Sequence, residues 1–143
     1  IKFIPMVIAA KAFGTWYIPQ QSHVKRRLSF FIRKTSVLKR TNYSVVAAAE
    51  GVHEHSHGIN RFNKGIFHMA LEAGMPLVPL FIYIPEEANP YSGQYSKSGV
   101  IKLIILDEID TSNWKLETLR EEIDKVRKIY VDKFNELNHT NIT

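Results

Sequence analysis

The side chains best suited to chemistry crowd into one stretch, Ala48–Pro79, which reads AAEGVHEHSHGINRFNKGIFHMALEAGMPLVP. It offers a carboxylate at Glu50 beside Gly51, three alternating imidazoles at His53, His55 and His57, and two cations at Arg61 and Lys64. A helix beginning near Lys64 would point its free backbone N–H groups and the positive end of its dipole at the same place. With Gly65 removing side-chain bulk there, the arrangement is a workable cradle for a phosphate. Imidazoles two apart on an extended segment can share a face, which is a metal-binding pattern. The His-x-His-x-Asp-His signature of metallo-hydrolases nevertheless lacks its Asp here, and no carboxylate-rich companion motif exists, so a metal-dependent hydrolase is the lesser reading. The loop's formal charge, Glu50 and Glu54 against Arg61 and Lys64, is zero while its histidines are neutral, and protonation makes it cationic.

Elements of regular structure must place this loop. Periodicity predicts a buried strand at Phe3–Ala9 and a second short one at Trp16–Ile18 ended by Pro19. A helix over Val24–Arg40 gathers Val24, Leu28, Phe31, Ile32 and Leu38 on one arc, which is expected to face the core, and leaves Phe30 and Val37 among Arg26 and Arg33 on the other side. Tyr43–Ala49 reads as a central strand, Glu50–Asn63 as a polar loop, and Lys64–Ala73 as a helix stopped by Gly74 and Pro76. Leu77–Ile84 is the next strand, with Pro79 implying an edge position or a bulge. A loop over Pro85–Ser98 and a strand over Val100–Leu106 follow. A long amphipathic helix over about Trp114–Leu137, capped by Thr111 or Ser112, carries Leu116, Leu119, Ile123, Val126, Tyr130, Phe134 and Leu137 on its inner face. Strands alternating with helices predict an α/β domain with a largely parallel or mixed central sheet flanked by helices, so the polar loop sits at the carboxyl edge of a strand, where ligands bind.

With 143 residues, 45% of them hydrophobic, the chain fits a single domain, and it is too apolar to be disordered as a whole. Cysteine is absent, which excludes a disulfide framework, a thiolate metal site and a thiol nucleophile. The near-apolar run Ile4–Ala10 is far shorter than the roughly 20 residues that span a bilayer as a helix. The net charge of +5 hides an asymmetry: nine Lys or Arg precede Glu50, the first acidic residue. Such a surface favours polyanions, whether lipid headgroups, phosphorylated substrates or nucleic acid. No RNA-recognition signature accompanies it, and the cations sit on a helix with apolar residues between them, so no nucleic-acid partner is expected.

Glu50, Gly51, Phe62, Lys64 and Gly65 fill the register E-G-x(10)-F-x-K-G, and A-L-E-A-G-x-P-x-V-P follows from Ala70 to Pro79. Together these resemble the third and fourth sequence blocks of the glycerophospholipid acyltransferases, whose best-known members are the 1-acylglycerol-3-phosphate acyltransferases. Gly14–Ile18 resembles the second block. The resemblance implies an acyltransferase moving a fatty acyl group from an acyl thioester, of coenzyme A or acyl carrier protein, to the hydroxyl of lysophosphatidate or a similar glycerol-phosphate lipid. It implies no bound cofactor, and it places the protein at an anionic membrane surface, on the cytoplasmic face. Glu50, Gly51, His53, His55, Arg61, Lys64 and Gly65 become the expected substrate-binding residues.

The family's catalytic His and Asp, separated by four residues, occur nowhere in the chain: no histidine has an aspartate five positions on. The pair is expected upstream of Ile1, so residues 1–143 read as the C-terminal greater part of an acyltransferase domain and, on their own, as inactive. Ala49 stands where the family has proline, Val52, His53 and Glu54 replace Thr-Arg-Ser, and Gln20 replaces an arginine of the second block. With both phosphate-facing arginines gone, protonated His53 or His55 is expected to supply the missing charge. The altered block also permits a second reading, a non-catalytic remnant that binds lipid or phosphate.

Overall fold

Pro5 decides the first segment. A proline in the first turn of a helix gives up an N–H that has no intrahelical partner, and it brings φ already set. Ala9, Ala10 and Ala12 then favour the helix. The computed structural model, which describes residues 4–20, 22–51, 58–85, 88 and 98–140, places helix α1 at Ile4–Ala12. This corrects the strand expected over Phe3–Ala9, of which Phe3 lies outside the described residues; a short apolar run has no period that separates strand from helix. Trp16–Ile18 is extended but joins no ladder. Its neighbours tie it to the next helix instead: Arg27 donates to the Pro19 carbonyl at 3.0 Å, and the Lys34 ammonium lies 4.3 Å from the Trp16 ring centroid.

Helix α2 forms at Val24–Leu38 as its apolar periodicity predicts, but it is rotated from the expected face. Phe30, Thr35 and Leu38 are buried, whereas Val24, Leu28 and Ile32 stay exposed. Gly65 supplies the reason. A Cβ at that position would lie 2.4 Å from the Phe31 ring, so the ring fits only because the side chain is a hydrogen. Seating Phe31 there turns Phe30 and Leu38 toward the interior.

Helix α3, Lys64–Ala73, has the predicted bounds. Gly74 ends it in the left-handed region at φ 65°. Its N–H donates to Leu71 at 3.1 Å and the Met75 N–H to Ala70 at 3.0 Å, a Schellman pair that satisfies two otherwise free carbonyls. The chain then enters a small antiparallel sheet, β1 at Leu80–Tyr83 against β2 at Lys102–Ile105, with Leu80 opposite Ile105. Leu77 and Ile109 form a separate bridge. Between the two registers one side has Val78 and Pro79 and the other Leu106, Asp107 and Glu108, so the extra residue lies opposite Pro79 and not in its own segment. Of the two expectations for Pro79, the edge position is the one met, since the sheet has two strands among the described residues. The loop predicted from Pro85 to Ser98 falls mostly outside the described residues.

Helix α4, Leu119–Thr140, begins later than predicted, which leaves Leu116 exposed. The predicted caps are used otherwise: Thr111 is buried and donates to the Met75 carbonyl at 2.8 Å, and the Ser112 N–H and hydroxyl both go to Asp110. Those bonds, the hydroxyl's first, hold the Asp110 carboxyl below its ordinary pKa. The remaining seam behaves as predicted. Leu119, Ile123 and Val126 pack with Phe62 and Phe67 into the core, and Tyr130 joins its edge.

The architecture is therefore mixed helices with a two-stranded antiparallel sheet, and the expected largely parallel central sheet is not formed among the described residues. The candidate central strand, Tyr43–Ala49, joins no ladder: residues 43–48 are exposed and their amides and carbonyls have no backbone partner among the described residues, and only the Ala49 carbonyl is bonded, by the Asn63 N–H. Two outcomes follow for the chain of residues 1–143. Hydrogen exchange at Tyr43–Ala48 should run near the unprotected rate while Ile123–Val126 exchanges slowly. Gly74→Ala should lower stability by about 1–2 kcal/mol in urea unfolding, because alanine resists the left-handed conformation and nothing lies near enough to clash with its methyl.

Candidate functional site

Glu50 draws the two ends of the polar loop together. Its carboxylate accepts the Asn60 N–H at 3.1 Å and the Asn60 side-chain amide at 3.2 Å, while its carbonyl accepts the Asn63 side-chain amide. The Asn63 N–H closes the set on the Ala49 carbonyl at 2.9 Å. Gly51 suits this junction twice over: its φ is 69°, and a Cβ there would lie 2.6 Å from the Asn63 amide nitrogen. The extended segment's end, the loop's return and the start of α3 thus meet at one place.

Asn63 occupies the N-cap position of α3, yet its side chain is turned toward Glu50 and caps nothing. The N–H groups of the first turn keep their full capacity for an incoming acceptor, and the helix dipole adds to it. Lys64 and Arg61 are exposed beside that turn. Gly65 is used differently from the expectation, since the space it leaves is occupied by Phe31 of α2. The structure therefore brings Glu50, Gly51 and Lys64 together, leaves Arg61 at the rim, and assigns Gly65 to packing. His53 and His55, with His57, lie outside the described residues, and no cluster of three or more metal-ligating side chains occurs among the described ones.

Two residues unforeseen at the loop come from α4. Arg127 donates through Nε to the Asn60 carbonyl at 2.8 Å and through a terminal nitrogen to Ile59, and Arg120 donates to the Phe62 carbonyl at 3.0 Å. Arg120 is also paired with Asp124 at 2.7 Å. These arginines are seven residues apart, so both lie on one side of the helix, flanking the Leu119–Ile123–Val126 seam. Cations repeated at that spacing along a core seam are the signal that could have marked them. Below them, Phe62 is buried, stacked on Phe67 at 6.0 Å and edge-on to Tyr130 at 5.2 Å. The Tyr130 hydroxyl accepts the Leu80 N–H at 3.1 Å, and burial pushes its phenol above the ordinary pKa against the opposing effect of that bond.

The sequence pattern of the Acyltransferase family matches residues 2–83, and the chain belongs to that family. It is 27% identical over 100 residues to a 1-acyl-sn-glycerol-3-phosphate acyltransferase of Escherichia coli, covering 70% of this chain and 40% of that protein. A Saccharomyces cerevisiae protein of the same name is 22% identical over 143 residues, 98% of this chain and 47% of its own length. A putative 1-acyl-sn-glycerol-3-phosphate acyltransferase of Caenorhabditis elegans is 26% identical over 103 residues, 71% of this chain and 36% of its own length. The chain spans less than half the length of each of these relatives. No solved structure matches it.

Because Arg127 holds two loop carbonyls, Arg127→Met should lower stability by about 1–3 kcal/mol while keeping the apolar stem. Urea unfolding reads the loss, and faster amide exchange at 58–63 locates it.

Proposed function

We propose that residues 1–143 form the C-terminal greater part of an acyltransferase domain that binds a glycerol-phosphate acceptor. In this reading a fatty acyl group passes from a coenzyme A or acyl carrier protein thioester to a hydroxyl of lysophosphatidate or a close analogue. The observation that carries the proposal is the uncapped first turn of α3, with Lys64 beside it and Glu50 fastening the loop. Free N–H groups, a dipole and a cation together favour a phosphate, and charge-assisted hydrogen bonds make the hold directional. The printed names of the relatives agree with an acceptor of this class.

A histidine takes the acceptor's hydroxyl proton, the alkoxide oxygen attacks the thioester carbonyl, and the thiolate departs from the tetrahedral intermediate. Residues 1–143 contain no His-x-x-x-x-Asp, so this base belongs to the part of the domain outside them. The role of the present residues is to fix the acceptor so that its hydroxyl meets the base and the thioester in reacting geometry. A glycerolipid acceptor would put the work at a membrane; the cytoplasmic face is the side that the family resemblance implies, and the wider fold is taken to be the family's helix-flanked sheet.

His53 and His55 stand close in sequence to this phosphate position, and as cations they would replace the arginines that the family uses. Their charge is present below the ordinary imidazole pKa of about 6.5 and is lost as pH rises through it. Glycerol 3-phosphate gains its own second charge over the same range, so the histidines are read by difference: the ratio of parent to His53→Gln/His55→Gln affinity, measured calorimetrically on residues 1–143, should fall between about pH 6 and pH 8. Lys64→Ala should weaken binding at both pH values. Undiminished binding by Lys64→Ala removes the proposed phosphate position, and a parent-to-variant affinity ratio that stays constant across the pH range removes the histidines from it.

A further inference from the structure

Helix α2 has an outward surface that the fold leaves uncovered. Val24, Leu28 and Ile32 stand four residues apart in one row and are 71%, 61% and 58% exposed. Lys25 adjoins this row around the helix, and Arg33 and Arg26 lie about 100° further round, on the polar side that an interfacial helix turns away from its apolar row, at 100° per residue. These three cations, with Tyr17, Pro19, Ser29 and Phe30, line an open groove of about 410 Å³ between the Trp16–Pro19 segment and α2. None of the three has a carboxylate partner among the described residues, and no acidic residue precedes Glu50 in the sequence.

We infer that this face of α2 docks on an anionic lipid bilayer, the row entering the headgroup boundary and the cations meeting lipid phosphates. The inference extends the reading that the acceptor is a membrane lipid. Charge complementarity identifies the partner: an uncompensated cationic groove alongside an aliphatic row fits a surface that is anionic outside and apolar beneath. Nucleic acid fits less well. Of the aromatic rings at hand, Phe30 is buried, Phe31 covers Gly65 and Trp16 lies under Lys34, which leaves Tyr17 as the one exposed ring of the groove; a single ring makes no stacking platform, and an aliphatic row has nothing to read or stack. No helix among the described residues is long and apolar enough to cross a membrane, so α2 would lie on the surface.

The test is co-sedimentation of residues 1–143 with phosphatidylcholine vesicles, with and without phosphatidylglycerol, and with a duplex oligonucleotide as the competing polyanion. Binding is expected only where phosphatidylglycerol is present, and it should weaken as salt rises. Arg26→Ala/Arg33→Ala should raise the lipid concentration for half-binding about 25-fold, at about fivefold per cation. Leu28→Ser should raise it about tenfold. All three side chains are exposed, and unchanged thermal midpoints would show that the variants fold. Equal binding to neutral vesicles, unaltered binding by the folded variants, or tighter binding to the oligonucleotide at the same salt would each overturn the inference. Glycerol 3-phosphate calorimetry on the same variants separates the two readings, because loss of vesicle binding with intact phosphate binding defeats only the docking surface.

Discussion

Burial of Phe62 is the interaction on which the candidate site depends. The loop before it is polar, with three histidines, Gly51 and Gly58, and nothing in its composition would fix it in place. Phe62 ends the loop by entering a core made of Phe67, Leu119, Ile123 and Val126. Burying a phenylalanine contributes about 1.5–3 kcal/mol, and it does so one residue before the N-cap of α3. The backbone on either side is then short enough of freedom for weaker contacts to act: Arg120 takes the Phe62 carbonyl, Arg127 takes those of Ile59 and Asn60, and Glu50 takes the Asn60 amides. Without the aromatic anchor these bonds would each have to offset the ordering entropy of a free loop, at roughly 1–2 kcal/mol per residue.

The second constraint is steric. Gly65 admits the Phe31 ring, and this one contact sets the rotation of α2 on α3. The helical wheel of α2 contains an apolar arc broad enough to be buried in more than one way, and the sequence contains no statement of which way is taken. Val24, Leu28 and Ile32 are as hydrophobic as the residues that are buried. What separates them is a partner with a hole in it, and that hole lies more than thirty residues downstream, in another helix.

What could be read in advance follows from the range of each signal. Helix α3 and its stop were legible because the cause is local: an apolar period, then a glycine able to take the left-handed conformation, then proline. The edge position of Pro79 was legible for the same reason, a missing N–H that no ladder can use. The junction of Glu50 with the helix start was legible through a spacing pattern, although the bonds from Asn60 and Asn63 that make it were not. The failures concern selection between equally good local states. Ile4–Ala10 has the composition of a strand and becomes a helix, because Pro5 falls where a helix tolerates it. Thr111 is a sound cap by type but is bound to Met75 instead. Tyr43–Ala48 has strand character with no strand beside it, since a ladder is a property of two segments and composition describes only one.

A loop clamped by a distant helix also changes how substitutions should be interpreted. Arg120 and Arg127 touch carbonyls and not the first turn of α3, so their influence on a bound phosphate passes through the position of Asn60 and Asn63. Asn63 matters most in that chain, because its amide nitrogen is bonded to the Glu50 carbonyl and its side chain makes no cap bond to α3. As long as Glu50 holds it, the helix start stays open to an external anion. The Glu50 carboxylate itself does not touch Asn63: it accepts the Asn60 amides, whereas the bond to Asn63 is made by the Glu50 carbonyl, which any residue at that position would keep. The carboxylate thus acts on the proposed anion position only through the loop's return at Asn60, and it is the backbone at Glu50 that occupies Asn63. This resolves an apparent electrostatic conflict, the presence of a negative charge beside a position suited to phosphate: the carboxylate is spent on amides, and the exposed charge nearest the helix start is that of Lys64.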